Sequence, residues 1–259
     1  MDVLFQTRAY LNYLNRARHR KGFGIHSPYL YHFINDIIQL KYSYYAYNQH
    51  IKTYKACLKD QTRVDLPQLG TGKARSTTIS KITRSASKKP KDCQLLFRIA
   101  LESQPKIILE LGTNLGLTTR LLAQVNAQTQ VYTFEGAPAL TKWSEKQFKH
   151  EGFNNIHLIK GNLDQTLKET LKELQIIDFI FIDANHTYKA TMNYFNLLVK
   201  HIHQKSILVL DDIHQSSGMQ QAWQDIQNNS KTICTLDLFR VGIVFFDENL
   251  PQTNYIVSY

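Results

Sequence analysis

The sequence predicts an α/β protein with a doubly wound, mostly parallel sheet of seven strands, a C-terminal antiparallel hairpin and an N-terminal helical segment. From residue 106 onwards, short apolar runs alternate with stretches in which apolar residues recur at helical spacing. This alternation is typical of parallel strands joined by right-handed helical crossovers. The last two runs, at about 231–237 and 240–247, lie too close together for a helical crossover. We therefore expect a tight turn between two antiparallel strands there.

The element bounds follow from the same alternation. Parallel strands are predicted at 106–111, 130–135, 156–160, 178–183 and 206–211. Helices between and after them are predicted at about 115–126, 138–151, 164–174, 187–203 and 218–229. A further helix over 91–103 precedes the first strand, because Pro90 is suited to a helix start and Pro105 ends the pattern.

The first 104 residues are predicted to form a basic helical segment, followed by a second domain over 105–259. Residues 3–20 have the pattern of a basic amphipathic helix. Ser27 and Pro28 supply an N-cap and a first-turn proline for the next helix. Residues 61–90 are poor in apolar residues and rich in Ser, Thr, Lys and Arg. We expect this stretch to be a lid or a loop on the substrate side.

The formal net charge of +10 is unevenly placed. Residues 1–105 carry 18 Lys and Arg against 6 Asp and Glu, a net charge of +12, whereas residues 106–259 carry 13 against 15, a net charge of −2. This asymmetry suggests an anionic partner or substrate for the first part, with solvated lysines as the alternative. RNA therefore stays open as a partner.

The sequence contains no signal for a membrane or for secretion. No apolar run reaches the roughly 18–20 residues that a membrane-spanning helix needs, and no charged region followed by an apolar one opens the chain. Three scattered cysteines, Cys57, Cys93 and Cys234, form no disulfide set. We expect a cytoplasmic protein in which each of them is a small buried residue.

A glycine turn between the first strand and the first following helix is the central motif. A strand, a glycine turn and a helix N-terminus together bind nucleotides. A dinucleotide fingerprint would need glycine at Asn114 and at Leu117, and the missing middle glycine is the one that admits a pyrophosphate. The pattern Glu110-x-Gly112-x-x-x-Gly116 instead fits a nucleoside without phosphates. It resembles motif I of the Rossmann-like class I S-adenosylmethionine (SAM)-dependent methyltransferases.

Polar residues follow all five predicted parallel strands, at the ends where ligands bind in such sheets. Glu135 ends the second strand and is expected to bind the ribose hydroxyls. The resemblance implies that the stretch after the third strand holds the adenine. The predicted cofactor-binding residues are Glu110, Gly112, Thr113, Asn114, Gly116, Glu135, Gly136, Asn162, Leu163 and Asp183.

Three aspartates after the fourth and fifth strands suggest a metal site. Asp183, Asp211 and Asp212 resemble the divalent-metal ligands of the catechol and the macrolide or aminocoumarin sugar O-methyltransferases. Three hard oxygen ligands would leave Mg²⁺ open positions for water and a bidentate substrate. The ion would lower the pKa of a substrate hydroxyl. In the alternative interpretation, Asp212 caps the next helix and Asp211 contacts solvent or cofactor.

Two histidines near these acids are candidates for the catalytic base, since imidazole titrates near neutral pH. His186 follows Asp183 by three residues, and His214 follows the aspartate pair. Asn185 stands where the sugar O-methyltransferases often have a second Asp, and an amide cannot act as the base. The predicted catalytic residues are His186, His214 and Asp183, and a structural role for either histidine stays open.

The ordered set of motifs resembles class I SAM-dependent methyltransferases of similar length from Bacteroidetes-type bacteria, within the broad family that includes rhamnosyl, macrolide and cephalosporin-pathway enzymes. Its parts are 24–28, 95–98, 110–116, 181–186, 211–214 and 242–246. The resemblance implies a SAM-dependent O-methyltransferase that acts on a small molecule, with SAM as its cofactor and Mg²⁺ as an open alternative. An RNA methyltransferase, a SAM-binding scaffold protein and a homodimeric assembly stay open.

Overall fold

The computed structural model describes residues 3–40, 42–68 and 73–259. The chain forms two compact units. The terminal unit comprises Met1–Lys41 and Ile176–Tyr259, and the central unit comprises Tyr42–Gln175. These units do not coincide with the predicted division of the chain at residues 104 and 105, which remains a prediction.

Ten helices and ten strands are present in the described residues. The helices are α1 (Val3–Arg16), α2 (Pro28–His32), α3 (Tyr45–Cys57), α4 (Ile79–Ala86), α5 (Pro90–Ser103), α6 (Leu117–Leu122), α7 (Pro138–His150), α8 (Leu163–Glu173), α9 (Tyr188–Leu198) and α10 (Ser217–Gln227). A 3₁₀ turn (Arg20–Gly22) and a π-helical turn (Phe33–Ile38) flank α2. The strands are β1 (Arg63–Leu66), β2 (Arg75–Thr78), β3 (Ile107–Leu111), β4 (Gln130–Glu135), β5 (Ile156–Lys160), β6 (Phe179–Ile182), β7 (Ile207–Asp211), β8 (Cys234–Asp237), β9 (Val241–Phe245) and β10 (Thr253–Ile256).

The central unit contains three parallel strands. β3 pairs with β4, and β4 pairs with β5, both in parallel register. The apolar side chains of β3 beyond its first residue are fully buried, which explains the continuous apolar run in the sequence. Helices α6 and α7 connect the strands in chain order, as the alternation predicts.

In the terminal unit, four strands end at one edge of the sheet. β6 and β7 are parallel, β9 runs antiparallel to both β7 and β8, and β10 is parallel to β8. The register places Leu210 and Asp237 opposite Gly242, and Ile256 opposite Asp237. The last residues of β6, β7, β8 and β10 therefore lie along one edge, which we call the carboxyl edge.

The α/β class, the mostly parallel strands and the antiparallel pair β8–β9 are as predicted. The predicted count of seven strands omits β10, which pairs with β8. Its sequence, Thr-Asn-Tyr-Ile, has two exposed polar residues and no apolar run, so its periodicity is too weak to be recognised. The N-terminal helix ends at Arg16 instead of residue 20. Ser27 caps α2 by accepting the backbone N–H of Leu30, as expected.

The segment 61–90 contains regular structure where the sequence predicted a loop. β1 and β2 form an antiparallel pair, and α4 follows directly; residues 69–72 lie outside the described residues. Val64, Ile79 and Ile82 are buried in one cluster with Leu115 and Leu117. These few apolar residues are sufficient to attach the segment to the turn after β3, although its overall composition is polar. Its role as a lid remains a prediction.

The three cysteines are buried, as the sequence predicts. Cys57, Cys93 and Cys234 are buried and form no disulfide. Over residues 3–40, 42–68 and 73–259, no helix combines the length and the apolar character needed to cross a membrane.

Candidate functional site

In the central unit, the turn after β3 has the backbone conformation that its glycines predict. Gly112 has φ 112° and Gly116, at the start of α6, has φ 66°. A Cβ atom on Gly116 would lie 2.5 Å from the ring of Phe148, so both the conformation and the close packing require glycine there. Thr113 N–H donates to the Phe134 carbonyl at 2.9 Å and ties the turn to β4.

Glu135 lies at the end of β4, beside this turn. Its Oε2 accepts the N–H of Asn114 and its Oε1 accepts the N–H of Ala137, both at 2.8 Å. Burial raises the pKa of the Glu135 carboxyl and outweighs the opposite effect of the backbone N–H donors of Ala137, Asn114 and Gly136. In nucleotide-binding sheets, an acid at this position accepts hydrogen bonds from the ribose hydroxyls. The geometry fits the ribose role that the sequence predicts.

Glu110 has a different environment from that of Glu135. Its side chain is fully buried, and its Oε2 accepts hydroxyl hydrogens from Thr119 of α6 and, at 2.7 Å, from Thr133 of β4. The Thr113 hydroxyl lies 2.6 Å from that of Thr133. Glu110 therefore fixes the turn against two neighbouring elements, and its direct contact with a cofactor remains a prediction.

The stretch after β5 caps a helix. Gly161, with φ 125°, donates its N–H to the Glu135 carbonyl at 3.0 Å. The side chain of Asn162 is exposed and accepts the Asp164 N–H at 2.9 Å, which caps α8, and Leu163 is the first residue of that helix. Asn162 thus caps α8, and its contact with an adenine ring remains a prediction.

In the terminal unit, the loops after β6 and β7 contain the predicted acids and strained backbone. Asn185, His186 and Asp212 have φ values of 61°, 33° and 52°, in the left-handed region that non-glycine residues seldom adopt. Such residues concentrate at functional sites. Asn185 also donates its amide to the hydroxyl of Tyr194, which holds the first loop against α9.

These acids are not arranged as a metal site. Asp183 Oδ1 lies 3.4 Å from His186 Nε2, Asp212 Oδ2 accepts the side-chain amide of Gln215 at 3.1 Å, and Asp211 is buried at the end of β7. Within the described part of the chain, no three His, Cys, Asp or Glu side chains form a group that could hold a metal ion. The predicted Mg²⁺ ligands therefore do not fit a metal ion as they are placed in this structure.

His186 is held by the acids around it. Burial lowers the pKa of its imidazole, but the hydrogen bond to Asp183 and the charges of Asp183, Asp211 and Asp212 outweigh burial and raise that pKa above its usual value. A raised pKa leaves a larger share of the imidazole protonated near neutral pH, where it cannot accept a proton. His186 is thus suited to balancing the charge of these acids.

His214 has a different partner. Its Nε2 lies 2.8 Å from Oδ2 of Asp237, at the end of β8. Asp237 Oδ1 accepts the N–H of Phe239, whose ring stacks on that of His214 at 5.4 Å. His214 Nδ1 is buried and has no hydrogen-bond partner among the described residues. Asp237 was not predicted as a site residue, although it is the last residue of a predicted strand. The predicted acids Glu135, Asp183 and Asp211 also stand at strand ends.

A cavity of about 300 Å³ lies between α1 and the carboxyl edge of the terminal unit. Gln6 donates its side-chain amide to the Gln215 carbonyl at 3.1 Å, and the Tyr13 hydroxyl donates to the Val257 carbonyl at 2.6 Å, so α1 is fixed to this edge. The cavity is lined by Phe5, Arg8, Ala9, Asn12, Tyr13, Arg16, His214, Gln220, Asp237 and Ile256. The amphipathic pattern predicts the helix, but it does not reveal what the helix packs against.

Comparisons with known proteins agree with this architecture. A family profile described as a methyltransferase domain matches residues 109–213, and no curated protein sequence matches the chain. One similar solved structure is the Podospora anserina methyltransferase PaMTH1 bound to S-adenosylhomocysteine (SAH). Its TM-score is 0.58 at 13% identity, with 96% of this chain and 97% of that chain covered. The Bacillus cereus O-methyltransferase in complex with SAH gives 0.56 at 16%, covering 82% and 95%.

A third solved structure is the Streptomyces achromogenes O-methyltransferase TomG, involved in tomaymycin synthesis, in complex with SAM. Its TM-score is 0.54 at 15% identity, with 80% of this chain and 91% of that chain covered. At these identities the likeness establishes the Rossmann-like fold, and the family profile identifies the domain. Residues 109–213 of the chain therefore match a methyltransferase domain and have a Rossmann-like fold.

Proposed function

We propose that the protein transfers the methyl group of SAM to an oxygen atom of a small-molecule acceptor. The observation that carries this proposal is the His214–Asp237 pair in the wall of the 300 Å³ cavity at the carboxyl edge. Ligands of open α/β sheets bind at this end of the strands. The cavity volume is at the lower end of the range for small-molecule sites.

The cofactor half of the proposal rests on the central unit. The turn Gly112–Gly116 lacks the middle glycine of pyrophosphate-binding turns, and Glu135 is held beside it by two backbone N–H groups. Both features favour a nucleoside ligand such as SAM. SAM supplies an electrophilic methyl group, and the departing thioether is neutral.

The acceptor hydroxyl must lose its proton as its oxygen forms the new bond to carbon. With Nε2–H directed at Asp237, neutral His214 carries its lone pair on Nδ1. This atom is buried, so it takes the proton only once the bound acceptor displaces the side chains that cover it. The carboxylate of Asp237 then stabilises the imidazolium that forms. The sulfonium thus becomes a neutral thioether, and the positive charge is carried instead by the protonated His214.

His186 is the second candidate for the base, and the structure offers it less support. It does not line the cavity, and the three nearby acids hold its pKa above the usual value. We assign His186 and Asp183 the role of holding the acidic loops together. A direct contact of Asp183 with the cofactor is retained as a prediction.

The test begins with binding of SAH by calorimetry. We expect the wild-type chain to bind SAH and Glu135→Gln to bind it about tenfold more weakly, because a charged acceptor is lost. Glu169→Gln, which changes an exposed acid of α8 in the same unit, is the matched control. If wild-type protein does not bind SAH, the proposal is overturned.

The acceptor class is tested by transfer of labelled methyl from SAM to fractions of a cell extract. Label in the small-molecule fraction is expected. Label in RNA would instead favour the RNA methyltransferase alternative, which the basic first part of the chain suggests. Binding of SAH without transfer to any fraction would favour a SAM-binding scaffold.

A further inference from the structure

One face of α1 forms a wall of the cavity. Its lining residues recur every three to four positions, with two adjacent pairs among them, which places them along one side of a helix. They are Phe5, Arg8, Ala9, Asn12, Tyr13 and Arg16. The helix was predicted as basic and amphipathic, and the structure shows that two of its arginines belong to the face that lines the cavity.

Among the described residues, neither arginine is paired with a carboxylate. Both side chains are exposed, and within residues 3–40, 42–68 and 73–259 no acid forms an ion pair with either. The acid in the cavity wall, Asp237, is already engaged by His214 and by the backbone of Phe239. Eight residues of helix separate the arginines by about 12 Å along its axis, so positive charge extends along the wall.

The remaining lining residues include both polar and apolar side chains. Tyr13 is not a free donor, because its hydroxyl already donates to the Val257 carbonyl and accepts the Tyr259 N–H. Phe5, Ala9 and Ile256 offer apolar contact, and His214 contributes the imidazole. A ligand that satisfies this wall is small, has an apolar body and carries an anionic group.

We propose that this cavity binds an acceptor with a carboxylate or phosphate group, which Arg8 and Arg16 hold while the acceptor hydroxyl faces His214. Guanidinium groups match both anions through paired N–H donors. The inference rests on the proposed function and adds the class of acceptor. It also accounts for part of the basic surplus of the first 105 residues without a nucleic acid, because a cavity of about 300 Å³ holds one small molecule.

The test is calorimetric titration of the full chain saturated with SAH. The probes are 3-hydroxybenzoate, its neutral analogue 3-hydroxybenzamide, and inorganic phosphate. We expect the benzoate or the phosphate to bind, and the benzoate to bind about tenfold more tightly than the benzamide. Binding of phosphate alone would assign the anion as a phosphate, and binding of the benzoate alone would assign it as a carboxylate.

Two sets of variants separate a built site from general surface charge. Arg8→Gln/Arg16→Gln should remove the preference for the anion, while Arg8→Lys/Arg16→Lys should keep part of it because the charges remain. Lys200→Gln/Lys205→Gln removes two exposed charges near the opposite end of β7 and should change nothing. SAH binding by each variant confirms that it is folded.

The inference is overturned if neither anion binds, or if 3-hydroxybenzoate and 3-hydroxybenzamide bind equally. It is also overturned if Lys200→Gln/Lys205→Gln loses as much affinity for the anion as Arg8→Gln/Arg16→Gln. Binding of an RNA oligonucleotide without binding of either small anion would also overturn it, in favour of the polymer. Because SAH binding and methyl transfer are measured separately, such a failure is distinguishable from failure of the proposed methyltransferase function.

Discussion

His214 and Asp237 are 23 residues apart in sequence, and their Nε2 and Oδ2 atoms lie 2.8 Å apart at the carboxyl edge. The terminal unit contains a second pair of the same chemistry, in which His203 Nε2 lies 3.0 Å from Asp178 Oδ1. This second pair precedes β6 and β7, at the opposite ends of those strands. The second pair thus serves as an internal control for the catalytic role that we propose for the first.

Replacing either member of the first pair should reduce turnover. We expect His214→Asn and Asp237→Asn to lower kcat by about a hundredfold or more, since general base catalysis contributes about 10²–10⁴. In Asp237→Asn the amide no longer favours the tautomer with a free Nδ1, nor does it stabilise the imidazolium. The measurement is kcat at saturating SAM and acceptor.

The controls are His203→Asn and Asp178→Asn, which remove the second pair. They should change stability more than kcat, because this pair lies away from the cavity. Equal losses of kcat in both sets of variants would show that the His214–Asp237 pair acts only through the fold.

The raised pKa of His186 predicts a pH dependence of stability. A histidine whose pKa is higher in the folded than in the unfolded state stabilises the fold fully below about pH 6.5. That contribution is lost as the pH rises through the folded-state pKa. His186→Gln should therefore lose more free energy of unfolding at about pH 6 than at about pH 9.

Urea unfolding at the two pH values measures this difference, and the NMR titration of the ring gives the pKa directly. Asp183→Asn should lower the titration midpoint of His186, because it removes the hydrogen bond and the nearest charge. An equal loss of stability at both pH values would contradict the assignment of His186 to the acidic loops.

Chelation tests the predicted Mg²⁺. We expect EDTA to leave turnover unchanged, because Asp183 is engaged by His186 and Asp212 by Gln215. The control is turnover after addition of Mg²⁺ to the chelated protein. A loss in EDTA that Mg²⁺ restores would show that the three aspartates rearrange around an ion, as the resemblance to the metal-dependent families implies.

The alternation of strands and helices could be predicted because each parallel strand is a short, continuous apolar run between helical patterns. Glu135 could be predicted as a strand-end acid for the same reason. The partner of His214 could not, because its contact with Asp237 depends on the register of β7, β8 and β9, and local pattern does not specify register. The basic amphipathic pattern of residues 3–20 could likewise be predicted, but the surface that α1 packs against could not.

Gly116 offers the sharpest test of the cofactor turn. It has φ 66°, and an added Cβ would lie 2.5 Å from the buried ring of Phe148. Gly152 has a similar φ of 76°, yet nothing lies within 4 Å of its Cβ position. Gly116→Ala therefore combines left-handed strain with overpacking, whereas Gly152→Ala has the strain alone.

We expect Gly152→Ala to cost about 1–2 kcal/mol of unfolding free energy and Gly116→Ala to cost about 1–3 kcal/mol more. Only Gly116→Ala should also weaken SAH binding, because its turn must shift away from Phe148. Urea unfolding and calorimetry give the two quantities. If Gly116→Ala/Phe148→Leu recovers SAH affinity, the clash is the cause; if both glycine variants bind SAH like the wild type, the turn does not hold the cofactor.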